Sequence, residues 1–122
     1  MREVFYRADR LLLPLTSLPI RALNHNDGWC DESVDVNYNK FVQHPYPASA
    51  EHLWHEDHLY DILVVLGHND QPVRPNEGSA IFLHLAPPEY SPSAGCITLQ
   101  QSDLLLVLRE ATTTSCVEVR QP

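Results

Sequence analysis

Gly78-Ser79-Ala80-Ile81-Phe82-Leu83-His84-Leu85 and, shortly after it, Ser93-Ala94-Gly95-Cys96-Ile97-Thr98-Leu99 decide how this chain reads. The first is an apolar run of strand character that ends in a histidine. A proline-rich loop, Pro87-Pro88-Glu89-Tyr90-Ser91-Pro92, separates it from a cysteine that follows a glycine. A buried strand holds an imidazole in a fixed orientation, and a loop can return a thiol to meet it. Imidazole takes the thiol proton, and the thiolate is the nucleophile, so a Cys/His pair is the minimum for attack on a carbonyl. Gly95 removes a side chain beside the cysteine and leaves backbone amides able to face a developing oxyanion.

Outward from this stretch, Leu59-Tyr60-Asp61-Ile62-Leu63-Val64-Val65-Leu66-Gly67 is the strongest strand signal in the chain. Its continuous apolar character predicts cover on both faces. Residues 3–7 alternate and predict a further strand, of edge type. In the stretch 10–22, Pro14 and Pro19 exclude a regular helix and predict extended apolar loop. Residues 24–31 carry turn chemistry leading into Trp29, and 31–48 read as a long irregular loop or lid. Ser49 to His58 predicts a short helix, with Ser49 as its cap and Leu53 and Trp54 as its apolar side. Residues 69–78 form a connecting loop. Ser102 to Arg109 predicts a second, capped helix, with Asp103 and Arg109 placed as the helix dipole prefers. Residues 112–119 predict a closing strand. No internal repeat or domain boundary is evident, so residues 1–122 read as a single domain.

With 122 residues there is room for one core, burying about two-thirds of the chain's surface. The ten prolines predict many loops and few long helices. Sixteen acidic against eight basic residues give a net charge of −8, which argues against a phosphate-binding footprint and hence against nucleic acid. Lys40 is the single lysine, so a polybasic membrane patch is disfavoured too, and no apolar run approaches the ~18 residues of a membrane span. The start, Met1 to Arg7, has no secretory apolar region and reads like a strand already in progress. Three cysteines, Cys30, Cys96 and Cys116, without C-x-x-C spacing disfavour a disulfide framework and a structural zinc site, while one bridge plus one unbridged thiol fits the count.

Histidines also recur at His52, His55 and His58, beside Glu56 and Asp57. Successive steps of three drift around a helix, so a solvated face is preferred over a metal site. A lone cysteine is usually a small buried hydrophobe, and a lone strand histidine usually a satisfied core residue. Cys96 and His84 stand out only through their pairing, whereas Cys30 and Cys116 read as packing residues. Tyr38, Tyr46 and Tyr90 either frame a bound peptide or are ordinary turn residues. His68 and Asn69 either line the site or simply follow a strand.

The segments 78–84 and 93–97 resemble the L,D-transpeptidase catalytic domain, the YkuD or ErfK/YbiS/YcfS/YnhG family. That family places a histidine at the end of a strand and a Ser/Thr-x-Gly-Cys motif downstream, followed by a hydrophobic residue. Gly28-Trp29-Cys30-Asp31, Asn37-Tyr38-Asn39 and Leu59-Tyr60-Asp61 running into His68-Asn69 look like one branch of it, over about Arg2 to Glu110. The resemblance implies a mainly β, sandwich-like fold, here with two short helices and long loops. It implies a peptidoglycan L,D-transpeptidase acting on stem peptides in the periplasm or cell envelope, with no metal or organic cofactor required. Cys96 is then the nucleophile, His84 the base oriented by the backbone carbonyl of Leu85, and the amides of Gly95 and Cys96 the oxyanion donors. Ser93 matches the hydroxyl of the motif. Ala94, Thr98 and Leu85 depart from the residues common at those positions, which marks a divergent branch and bears on substrate contacts. Strands that usually precede the stretch starting at Arg2 are missing, so either the domain is shortened or this version builds its sheet without them; a truncated sheet exposes an unpaired edge and invites self-association. Hydrolysis of stem peptides, as in an L,D-carboxypeptidase or amidase, and non-catalytic peptidoglycan binding are the alternatives.

Overall fold

The computed structural model describes residues 1–87 and 96–120. The protein is mainly β, with one five-stranded sheet, one three-stranded sheet and one helix among the described residues. At the centre of the larger sheet is β6 (Ile62–Val65), flanked by β1 (Glu3–Tyr6) and β7 (Phe82–Leu85). The outer strands are β2 (Ile20–Ala22) beside β1 and β8 (Ile97–Leu99) beside β7. β6 runs antiparallel to both neighbours, while β1–β2 and β7–β8 are parallel pairs.

The apolar run around β6 is covered on both sides, as its composition predicts. Ile62 and Val64 enter one core with Val4, Leu18, Leu83, Leu85, Leu104 and Leu108. Leu63 and Val65 enter a second with Phe5, Trp29, Leu53, Tyr60 and Phe82. The first core is closed by α1 (Gln101–Glu110), whose Leu104 and Leu108 are fully buried. The second is closed by the smaller antiparallel sheet of β4 (Phe41–Gln43), β3 (Asp27–Cys30) and β5 (Ala50–His52). The five-stranded sheet is thus sandwiched between a helix and a second sheet, an arrangement that buries both its faces.

Several expectations are corrected. The strand at the start of the chain is interior, not an edge, because part of the proline-bounded stretch returns beside it with Val4 opposite Ile20. Its new neighbour β2 begins directly after Pro19, as suits an outer strand. The helix expected over 49–58 is absent: Ala50–His52 pairs with β3, setting Glu51 opposite Trp29, and turns follow. Leu53 is fully buried while His52 is exposed, so this segment follows a period of two, and sheet pairing overrides the local capping signals. The strand expected over 112–119 is also absent, and most of that segment is exposed. Its β-branched residues have propensity but no ladder to join. The helix near residue 102 is present, beginning one residue early, with Gln100 at the N-cap and no side-chain capping bond. Asp103 lies in its first turn and Arg109 in its last, as the macrodipole favours.

Candidate active site

His84 lies third in β7, so it shares a sheet face with Phe82, while Leu83 and Leu85 point into the helix-covered core. It is buried. Its Nδ1 lies 2.9 Å from the Leu85 carbonyl oxygen. A carbonyl only accepts, so Nδ1 carries the proton and donates, which leaves Nε2 as the basic nitrogen. Burial pushes the His84 pKa below the ordinary 6.5, against the opposing pull of hydrogen bonds to the Leu85 and Leu59 backbone. The ring is therefore a neutral base at neutral pH.

Cys96 immediately precedes β8. Leu83 pairs with Ile97 and His84 with Thr98, so Cys96 comes alongside Phe82. Ile97 and Leu99 pack on the helix-covered core, whereas Cys96 packs on the other, beside Tyr60, Ala80 and Phe82. Strand alternation thus sets Cys96 and His84 on one face of one sheet, on adjacent strands, two residues apart in register. The Cys96 thiol donates to the Ala80 carbonyl at 3.4 Å. Burial raises its pKa above the ordinary 9.0, hydrogen bonding to the Phe82 backbone draws it down, and the Glu51 charge raises it. Ala80 adopts φ +58, a left-handed conformation that a residue with a Cβ adopts at a cost of about 1–2 kcal/mol. Backbone strain therefore sits where the sulfur is held.

Of the other positions expected to contact substrate, Ser93, Ala94 and Gly95 lie outside the described residues, as does Tyr90. Thr98 stands opposite His84 in the β7–β8 ladder. Leu85 contributes its carbonyl to the imidazole and its side chain to the helix-covered core. His68 and Asn69 lie beyond the Phe82 end of β7, because β6 pairs Val65 with Phe82 before running on to them. Asn69 fastens a turn: its Nδ2 donates to the Arg74 and Gly78 carbonyls and its Oδ1 accepts from the Arg74 amide. His68 Nε2 donates to the Glu77 carbonyl at 2.9 Å, and its ring packs so tightly on Gly78 that a Cβ there would lie 2.9 Å from it. Both residues thus anchor the 69–78 loop, while His68 also borders a cavity of about 300 Å³ with Trp29, Phe41 and Phe82.

The histidines at 52, 55 and 58 diverge. His52 stacks on His44 at 3.7 Å, His55 stacks on Tyr60 at 4.1 Å, and His58 bonds Asp61 at 2.7 Å. Among the described residues no group of three or more His, Cys, Asp or Glu side chains converges to hold a metal ion. None of the three cysteines forms a disulfide there; Cys30 is fully buried and its thiol meets Asp35 at 3.5 Å.

Two neighbours of the pair escape a reading of the sequence. Tyr60 presents its ring to His84, with centroids 5.0 Å apart and an interplanar angle of 69°. Its hydroxyl donates to the Glu51 carboxylate, which arrives from β5 of the other sheet. Burial raises the Glu51 pKa and, more strongly, that of Tyr60. The signal for Glu51 is the two-residue alternation of Glu51 and Leu53, hidden under helix-capping cues; Tyr60 falls inside the apolar strand run of 59–67. No family model matches the chain, and no curated protein or solved structure matches it significantly. The geometry and the sequence motif are what a functional reading must rest on.

Proposed function

We propose that the protein is a cysteine acyltransferase of the L,D-transpeptidase type, acting on peptidoglycan stem peptides. The observation that carries this reading is the shared sheet face of Cys96 and His84, with Nδ1 of the imidazole committed to the Leu85 carbonyl. The resemblance of 78–85 and 93–99 to the family motif supplies the substrate class. Nε2 of His84 takes the thiol proton as the sulfur of Cys96 bonds to the carbonyl carbon after the diamino acid. The backbone amides of Gly95 and Cys96 are the oxyanion donors of this reading. Collapse of the tetrahedral species breaks the C–N bond, and the departing D-alanine amine takes the proton from His84. An amine acceptor then attacks the thioester, gives up its proton through His84 and restores the thiol.

A carbapenem tests this directly. Opening of its lactam by Cys96 adds the mass of one intact drug molecule, located by peptide mass spectrometry on the fragment containing residue 96. The expected result is one adduct on the parent protein and none on Cys96→Ala; a folded parent that stays unmodified overturns the proposal. Stem tetrapeptides incubated with and without an amine then separate transfer from hydrolysis.

A further inference from the structure

We propose that Tyr60, anchored by Glu51, is a positioning residue for the His84 base, a strut between the two sheets that fixes the tilt of the imidazole. The inference rests on the acyl-transfer reading of Cys96 and His84. One hydrogen bond, from Nδ1 to the Leu85 carbonyl, selects which way the ring is flipped. Hydrogen bonding to the Leu85 and Leu59 backbone leaves the ring plane free to tilt, however, and a base must be held to within a fraction of an ångström to act. The second constraint is a wall, and the Tyr60 ring supplies it at 5.0 Å in an edge-to-face arrangement.

The wall is itself held on three sides. His55 stacks on it at 4.1 Å, and Phe82, one alternation before His84 on β7, meets it edge-on at 6.0 Å. The third hold is the hydroxyl's bond to Glu51. Glu51 points inward from β5 at the position opposite Trp29, next to a core of Leu53, Leu63 and Phe82. A carboxyl group there is unfavourable for folding unless it is hydrogen-bonded, and a leucine would pack the site with less penalty. Its partner explains its presence: it fixes a phenol that would otherwise have only stacking contacts to set its depth. His55 is held in turn, because Arg7, buried over Trp54 at 3.5 Å, donates to the His55 carbonyl at 2.6 Å. The chain of contacts runs from Arg7, just after β1, through the 53–60 turn to the base.

The test compares the parent with Tyr60→Leu, Tyr60→Phe and Glu51→Gln by two readouts. The first is the ¹⁵N spectrum of the His84 ring at neutral pH, which distinguishes the Nδ1–H from the Nε2–H tautomer. The second is the rate of Cys96 acylation at saturating carbapenem. The parent is expected to show a single Nδ1–H tautomer. Tyr60→Leu should show a tautomer mixture and about tenfold to a hundredfold slower acylation, with half-saturation little changed. Tyr60→Phe and Glu51→Gln should fall between. If Tyr60→Leu does not fold, Tyr60→Phe carries the test, since it keeps the ring and removes only the anchor. A folded variant with the parent's tautomer and the parent's rate overturns the proposal. Should the parent itself resist acylation, the acyl-transfer reading fails, and the spectrum alone still decides whether Tyr60 positions the ring.

Discussion

The two faces of the five-stranded sheet are built from the same three central strands and could hardly differ more in chemistry. The face under α1 is apolar throughout, from Val4 and Ile62 to Leu104 and Leu108. The face under the smaller sheet carries aromatic residues interleaved with His84, Cys96 and Tyr60, and receives Glu51 from the sheet opposite. Because side chains alternate along each strand, β7 contributes Leu83 and Leu85 to one face and Phe82 and His84 to the other. Stability and chemistry are thereby divided between two sides of one strand. Burial, which on one side only stabilises the fold, on the other side sets protonation states.

This contrast predicts that substitutions on the two faces fail in different ways. The largest effect belongs to His84→Gln, which removes the proposed base while keeping a neutral polar side chain. Carbapenem acylation of Cys96 should slow by about 10²–10⁴-fold, the usual contribution of a positioned general base. Thermal unfolding and far-ultraviolet circular dichroism should stay close to the parent. A loss of folding equal to the loss of rate would erase the distinction between the faces. On the opposite side, Leu104→Ala should destabilise the protein by about 2–5 kcal/mol, through lost transfer free energy and the cavity left beneath the helix. Urea unfolding measures it. Acylation per folded molecule should be preserved, because Leu104 packs in the apolar core on the other side of the sheet.

How much of this was readable follows the same division. The β6 run announces a strand buried on both faces, and the apolar run through 78–85 announces a buried strand that carries His84. The hydrophobic face needs only composition and period, and both are local properties of a sequence. The chemical face depends on pairings across the chain. Glu51 reaches Tyr60 only because Ala50–His52 joins β3 instead of forming the helix that Ser49 and Glu51 suggest. Likewise β2 gains its place from a parallel pairing with β1, and residues 112–119 lose theirs for want of a neighbouring strand. Backbone partners such as the Leu85 carbonyl leave no mark in side-chain identity at all.

A smaller effect is expected in pH dependence, and its direction follows from burial. His84 is pushed below 6.5 and Cys96 above 9.0, so at neutral pH the pair is imidazole and thiol and not an ion pair. The facing groups are Tyr60 and Glu51, with His55 and Asp57 acting on the ring from farther away. The acid limb of the acylation rate should accordingly lie below pH 6.5, and iodoacetamide labelling of Cys96, followed by peptide mapping, should rise with a midpoint above 9.0. The same shifts act on stability. A histidine whose folded pKa is depressed destabilises the fold as pH falls from 6.5 through the folded value, where the ring must be charged while buried. A thiol whose folded pKa is raised has the opposite window, contributing nothing adverse below 9.0 and destabilising the fold as pH rises through its folded value. A labelling midpoint below 9.0 would show that the sulfur is held as a thiolate, and the chemical face would then resemble a preformed ion pair.

The smallest effect tests whether strain is part of that face. Ala80 holds φ +58 and offers its carbonyl to the Cys96 thiol. Glycine adopts this conformation without the Cβ clash, but it also gives the unfolded chain more freedom, and the two terms nearly offset. Ala80→Gly should therefore change unfolding free energy by less than about 1 kcal/mol, most simply as a slight stabilisation. The carbonyl remains, so the resting contact to the sulfur survives the substitution. If the left-handed turn does no more than present that carbonyl, acylation by carbapenem will match the parent. If instead the alanine holds the turn rigid against Phe82, the glycine variant will label faster with iodoacetamide and acylate more slowly, because a looser turn exposes the thiol while blurring its approach to His84. Measured together, the two rates separate a strained backbone that merely tolerates its position from one that aims the Cys96 thiol.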